Sequence, residues 1–276
     1  MKRTLSTIGL WTIVFGTVYF FGVNGGVVLL AVLTLLAQYE FHGLLEKSGL
    51  MVWRGFTLVF GCIMILAASK TLNRLPMPLV GTLAAAALVY GALAIAKDPA
   101  NLNRLAGSVL SLAYVPGLMM FYALLVRDFA DSCDRGHGVG LAIWVIAVAK
   151  FTDVGGYLVG SAIGRHKLAP SISPGKTWEG VAGGLAMAAL VASLGVHFAA
   201  HWLPYNLTVT NAALLALPMG FAAIASDLSE SAFKRRAGVK DSGNCIPGIG
   251  GALDLADSLL LTAPVAYYLL LMLDGS

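Results

Sequence analysis

The chain has 276 residues, of which 58% are hydrophobic and 12% charged, with a net charge of +4. A soluble domain carries roughly 25% charged residues, so about half of the expected charge is missing and a water-soluble globular protein is excluded. The basic residues fall in short segments between apolar runs, which excludes nucleic acid as a partner, and Cys62, Cys133 and Cys245 have no spacing for a disulfide framework or a zinc site.

A bilayer core needs about 20 apolar residues of helix. On that measure the sequence predicts an all-α, polytopic transmembrane helix bundle of nine helices. They cover residues 5–22, 26–45, 53–69, 78–96, 108–126, 138–163, 178–201, 208–233 and 252–272. Met1, Lys2 and Arg3 before the first apolar run imitate a signal peptide. No small-residue cleavage site follows, so a retained first helix is expected. Asn24, Gly25 and Gly26 predict a tight hairpin between the first two spans. The whole chain, 1–276, reads as one integral membrane domain, with an N-terminal helical half (1–137) and a C-terminal half (138–276) that carries the site.

With nine spans, thirteen of the 18 Lys and Arg residues fall on the side of the N-terminus and four on the other, with Lys150 inside a span. The positive-inside rule then puts the N-terminus in the cytoplasm and the C-terminus outside. It also turns the loops after the sixth and eighth spans toward cytoplasmic nucleotides.

Charges within spans are costly and therefore informative. In the second span Glu40 and Glu46 either complete a polar pocket or are solvated. The sixth span carries Lys150 and Asp153, then Gly156, Gly160 and Gly164 at a spacing for close helix packing. Asp153 shares that face; it serves either the site or an ion pair with Lys150. The loop after it holds Lys167, Ser173, Pro174 and Lys176, and Thr177 to Glu179 start the seventh span as an anion-binding helix N-terminus. His197 and His201, beside Trp202, read as interfacial.

The eighth span ends with Asp227, Glu230, Ser231 and Lys234 on one helical stripe, followed by Arg235. The ninth opens with Asp254, Asp257 and Ser258. Two carboxylates one turn apart, facing a third on the preceding helix, suit a hard cation with oxygen ligands, the alternative being that they cap helix ends. Between them, residues 238–251 hold Lys240, Asp241, Gly248, Gly250 and Gly251. The glycines either let backbone N–H groups approach phosphate or simply form a connector.

Together these segments resemble the bacterial phosphatidate cytidylyltransferase (CDP-diglyceride synthase) family. Ser231, Lys234 and Arg235, then Lys240 and Asp241, then Pro247, Gly248, Gly250 and Gly251, then Asp254 and Asp257 follow its signature. Residues 164–180 and Asp153 to Tyr157 are similar to the block before it. Specific matches cover about residues 150–258. The chain departs from the family where Ile249 replaces a usual His, Leu255 an Arg and Gly175 a Lys.

The resemblance implies nine helices, a homodimer, and a cytoplasm-facing, lipid-accessible cavity in an inner membrane. It implies a two-metal centre with Mg²⁺ and a second ion, K⁺. By position Asp227, Asp254 and Asp257 would be metal ligands, with Ser231 and Lys234 near the phosphates as the rest of the catalytic set. Asp153, Lys167, Ser173, Lys176, Thr177, Glu179, Arg235, Lys240, Asp241, Gly248, Gly250 and Gly251 would bind substrate. The expected reaction joins CTP to phosphatidate, giving CDP-diacylglycerol and pyrophosphate. The rivals are a CTP-dependent polyisoprenol-type lipid kinase and an ion-coupled transporter. The D-G-x-x-A-R pattern of a CDP-alcohol phosphotransferase is absent.

Overall fold

In lipid the backbone has no water to bond, so apolar segments satisfy their N–H and C=O groups internally, as helices. The computed structural model of the protein describes residues 2–69, 98, 101–129, 137–204, 206–245 and 250–274. The expected span 78–96, Lys70, Arg74, Lys97, Cys133, Arg135, Pro247, Gly248 and Ile249 lie outside the described residues. The helices are α1 (Lys2–Lys47), α2 (Arg54–Ala68), α3 (Asn101–Tyr114), α4 (Pro116–Asp128), α5 (His137–Ile163), α6 (Trp178–Phe198), α7 (Val209–Arg236), α8 (Ala252–Ala256) and α9 (Leu259–Asp274). A two-stranded antiparallel hairpin, β1 (Lys167–Ala169) and β2 (Ser173–Thr177), joins α5 to α6.

Nine spans are not found among the described residues. The described residues contain six helical stretches long and apolar enough to cross a membrane, and Arg54–Ala68 as a shorter apolar helix. Of the three expected spans missing from that count, one (78–96) lies outside the described residues. Residues 5–22 and 26–45 fall in α1, two helical segments joined across a kink, within which Gly16–Lys47 is long and apolar enough to cross. The chain breaks at Gly22 (φ 56°, ψ −139°), two residues before the expected turn, while Asn24 to Gly26 are helical. A Cβ on Gly25 would lie 2.5 Å from the Thr17 carbonyl oxygen, so α1 bends sharply there, and positive φ at Gly22 needs a residue without a side chain. The third expected span, 53–69, yields only the 15 residues of α2. At 1.5 Å per residue these reach about 22 Å, short of a hydrocarbon core of about 30 Å.

The chain forms two compact units, residues 1–120 with 236–253, and residues 121–235 with 254–276. In the first, α1, α2 and α3 bury a polar network. Gln38 donates to the Thr57 carbonyl (3.0 Å) and Ser111 Oγ (3.3 Å), and His42 Nε2 lies 2.7 Å from Ser111 Oγ. A bidentate Arg54–Glu46 ion pair closes the α1–α2 corner, with the guanidinium also over the Tyr39 ring. Val115 separates α3 from α4 because Pro116 has no N–H to continue the ladder.

In the second unit the glycine faces of α5 and α6 meet. A Cβ on Gly180 would lie 2.8 Å from the Gly156 carbonyl oxygen and 3.4 Å from the Gly160 Cα, and one on Gly184 would lie 2.8 Å from the Thr152 carbonyl oxygen. Backbone approach of this kind leaves no room for a methyl group. Gly180→Ala is expected to destabilise the folded protein by about 1–3 kcal/mol through overpacking. Thermal unfolding in detergent checks it, and an unchanged midpoint would contradict this packing. Trp144 Nε1 donates to the Ala192 carbonyl farther along the same pair. α8 and α9 are separated by a turn at Asp257 and Ser258, which exposes their polar groups to the neighbouring helices of the unit.

Candidate active site

The polar cluster lies within the second unit. α7 is apolar up to Ser226 and then carries Asp227, Glu230, Ser231 and Lys234 on one face, because residues three and four apart share a face. The α8–α9 turn brings Asp257 toward that face. Ser226 Oγ donates to the Asp257 carbonyl oxygen and accepts from Leu261 N (3.2 Å), which pins the turn to α7. Carboxylate oxygens of Asp227, Glu230 and Asp257 then lie within 4.8 Å of one another.

Three lysines surround these acids. Lys176 on β2 lies 2.7 Å from Asp227 Oδ2, Lys150 on α5 lies 3.2 Å from Asp257 Oδ1, and Lys234 bridges Glu230 (2.6 Å) and Asp254 (2.9 Å). Lys150 also donates to Ser258 Oγ at 2.9 Å, and Ser231 Oγ lies 3.5 Å from Asp227 Oδ1. Asp153 interacts with Asp257, Lys150, Asp227 and Ser258. Asp254 sits against Lys234, and Glu230, fully buried, takes its place beside Asp227 and Asp257. Glu230 was legible as part of the stripe, one turn after Asp227, but its burial was not.

The hairpin holds the remaining candidates of this unit. Lys167 pairs with Thr177 and Ala169 with Ser173, with a register shift between the two pairs. Thr177 is the α6 N-cap, accepting from Gly180 N at 3.1 Å. Glu179 accepts from the Arg165 and His166 amides and from the His166 ring (2.6 Å), tying the hairpin base to α6. Arg235 donates to the Ile172 carbonyl at the hairpin tip. Lys240, Asp241, Gly250 and Gly251 belong to the first unit, where Lys240 and Asp241 are exposed and Gly250 has φ 123°. Gly248 lies outside the described residues.

The residues fit a hard metal ion. Three carboxylates offer oxygen donors at mutual ligand distance, and the buried Glu230 Oε1 has no hydrogen-bond partner. Lysines interleaved with the acids offset part of the negative charge and suit phosphate oxygens.

A carboxylate–lysine centre of this kind in a polytopic membrane protein suits phosphorylated substrates handled at a metal. The comparisons make this specific. A model of the cytidylyltransferase family matches residues 1–273, and the chain belongs to that family. It is 31% identical over 268 residues to the phosphatidate cytidylyltransferase of Synechocystis sp., covering 88% of this chain and 87% of that one. To the phosphatidate cytidylyltransferase of Haemophilus influenzae it is 42% identical over 135 residues, 49% of this chain and 47% of that protein. For that of Staphylococcus haemolyticus the values are 37% over 166 residues, 60% and 58%. The match thus spans only about half of the Haemophilus and Staphylococcus relatives.

Proposed function

We propose that the protein transfers CMP from CTP to phosphatidate, giving CDP-diacylglycerol and pyrophosphate. The observation that carries this reading is the convergence of Asp227, Glu230 and Asp257 among Lys150, Lys176 and Lys234, in a chain of the cytidylyltransferase family. The lipid phosphate is already an anion near pH 7 and needs no strong base. The obstacle is the meeting of two polyanions. Asp227, Glu230 and Asp257 would hold Mg²⁺, with Asp254 completing the set through Lys234 or as a ligand of a second ion, K⁺. A bound divalent ion neutralises phosphate charge and stabilises the leaving pyrophosphate.

The chain's own residues do the rest. Lys176 and Lys150 hold the carboxylates that a cation would occupy, so theirs are the ammonium groups released toward phosphate. Lys234 stays between Glu230 and Asp254 and orients both. Ser231 orients Asp227. Asp153, Lys167, Ser173, Thr177, Glu179 and Arg235 shape the substrate side, and the loop with Lys240, Asp241, Gly248, Gly250 and Gly251 supplies further phosphate donors. The partners are CTP and membrane phosphatidate, not nucleic acid, and the working form is a homodimer within one membrane domain. Product formation by purified protein, stopped by a chelator and restored by Mg²⁺, tests the reading. Undiminished turnover in the chelator would overturn it.

The four C-terminal crossings support an orientation. The segments after α5 and α7 hold Arg165, Lys167, Lys176 and Lys240, and α7 ends in Arg235 and Arg236, whereas residues 199–208 hold no Lys or Arg. The hairpin side is therefore cytoplasmic and the C-terminus external, in a bacterial inner membrane. Gly175→Cys, in a variant without Cys62, Cys133 and Cys245, is expected to react with an impermeant thiol reagent only from the cytoplasm. His201→Cys is expected to react only from outside. The reverse pattern would separate the site from CTP.

A further inference from the structure

The acids of the second unit leave Glu40 of α1 unused. It lies in the first unit, only 6% exposed, one helical turn before Gly43 and near the C-terminal end of α1. A buried carboxylate in such a position is expensive unless its oxygens are bonded. Its Oε2 accepts two hydrogen bonds, from Ser242 Oγ at 3.0 Å and from the Leu253 amide at 2.9 Å. Ser242 lies near the start of the glycine-rich loop, and Leu253, eleven residues later, is in the first turn of α8, which directly follows it. One oxygen therefore ties both ends of the loop to the same point on α1.

Gly243 shows how closely the loop is drawn in. A Cβ there would lie 2.5 Å from the Glu40 carboxyl carbon and 2.9 Å from its Cγ, so no larger residue fits without moving the carboxylate. Its φ is not positive, so the glycine is required by the approach of Glu40 rather than by backbone twist. At the other end, Leu253 is fully buried and is followed directly in the chain by Asp254.

We propose that Glu40 is a positioning residue, a buried clasp that holds the two ends of the 242–253 loop together and so fixes the path by which the chain enters Asp254 and Asp257. Its kinetic consequence rests on the transfer reaction proposed above; the clasp itself does not. A chain anchored at Ser242 and Leu253 leads into Asp254 along a fixed path, and misplacement of a functional group by about 1 Å can cost roughly a hundredfold in rate. The charge of Glu40 is not what the geometry uses. A single oxygen accepts both bonds, and the carbonyl oxygen of Gln reproduces it.

The test compares Glu40→Leu, Glu40→Gln and Ser242→Ala in the full chain, purified in detergent, by amide hydrogen exchange and by steady-state kinetics with CTP and phosphatidate. Peptides covering 242–253 are expected to exchange at least tenfold faster in Glu40→Leu, with α2 and α6 unchanged. Its kcat/KM for CTP is expected to fall about ten- to a hundredfold. Glu40→Gln should restore both readouts to within about threefold, as expected where one oxygen acceptor replaces another of the same shape. Ser242→Ala, which leaves the Leu253 bond intact, should loosen the start of the loop more than its end. Wild-type exchange over 242–253 in Glu40→Leu overturns the clasp, as does a Glu40→Gln variant as loose as Glu40→Leu. If Glu40→Leu does not fold, wild-type exchange in Ser242→Ala overturns it instead. Faster loop exchange in a protein that makes no CDP-diacylglycerol would leave the clasp standing and remove only the reaction.

Discussion

Asp257→Asn is expected to slow CDP-diacylglycerol formation by about a thousandfold while leaving the protein folded. Asn keeps the shape of the side chain and an acceptor for Ser258 N, which Asp257 Oδ1 binds at 2.6 Å. What it removes is the negative charge at the point where α7, α5 and the α8–α9 turn converge. The same oxygen faces Lys150 at 3.2 Å, and the carboxylate is one of the three gathered at ligand distance. Loss of a ligand to a hard cation typically removes several kcal/mol of charge stabilisation in the transition state, and about 4 kcal/mol is close to a thousandfold in rate. Asp274→Asn, at the exposed far end of α9, is the matched control and should behave as wild type. Rates for Asp257→Asn within a few fold of wild type, with the same Mg²⁺ dependence, would remove Asp257 from the centre.

The largest effect on stability is expected at Lys234. Its ammonium lies 2.6 Å from Glu230 and 2.9 Å from Asp254, with the Glu230 side chain fully buried and the Lys234 side chain 12% exposed. Lys234→Met leaves two acids without their shared cation. Breaking a buried pair from one side costs about 3–5 kcal/mol, because the remaining charge stays buried. The thermal midpoint in detergent should drop accordingly. Glu230→Gln added to Lys234→Met should recover part of that loss, since the more deeply buried of the two uncompensated charges is then gone, yet activity should stay absent. A single Lys234→Met variant as stable as wild type would show that the pair is not buried in the working protein. An active double variant would show that neither residue takes part in the transfer.

Much of the fold was legible because lipid imposes local rules. Apolar runs gave the helices of the C-terminal half, and the Gly156, Gly160 and Gly164 spacing marked the α5 face that meets Gly180 and Gly184. The number of crossings was not legible. The turn between the first two spans was expected within two residues of the break at Gly22, but hydropathy does not register that α2 stops at Ala68. The β1–β2 hairpin reads in the sequence only as a loop around Pro174. Its stabilising contacts, such as Glu179 with His166 and Arg235 with Ile172, are made between residues 13 and 63 positions apart.

For the site, spacing along one helix placed Asp227, Glu230, Ser231 and Lys234 on one stripe, but pairing across helices was hidden. Lys150 is three residues from Asp153, which made it a natural partner in sequence. In the fold it reaches Asp257, 107 positions away. Lys176 likewise reaches Asp227 from the hairpin. Glu40 left two readings open, and its bonds to Ser242 and Leu253, over 200 positions distant, decide for a structural polar contact within the first unit.

The most direct test of the central claim follows the two ends of CTP separately. Purified protein is given phosphatidate, Mg²⁺ and CTP labelled either at the α- or at the γ-phosphorus. Transfer of CMP predicts α-label in chloroform-soluble lipid, in equal amount to pyrophosphate carrying the γ-label, and neither product in Asp257→Asn. γ-Label in the lipid with release of CDP would make the protein a lipid kinase, and lipid without either label would leave the carboxylate–lysine cluster with a task other than nucleotide transfer.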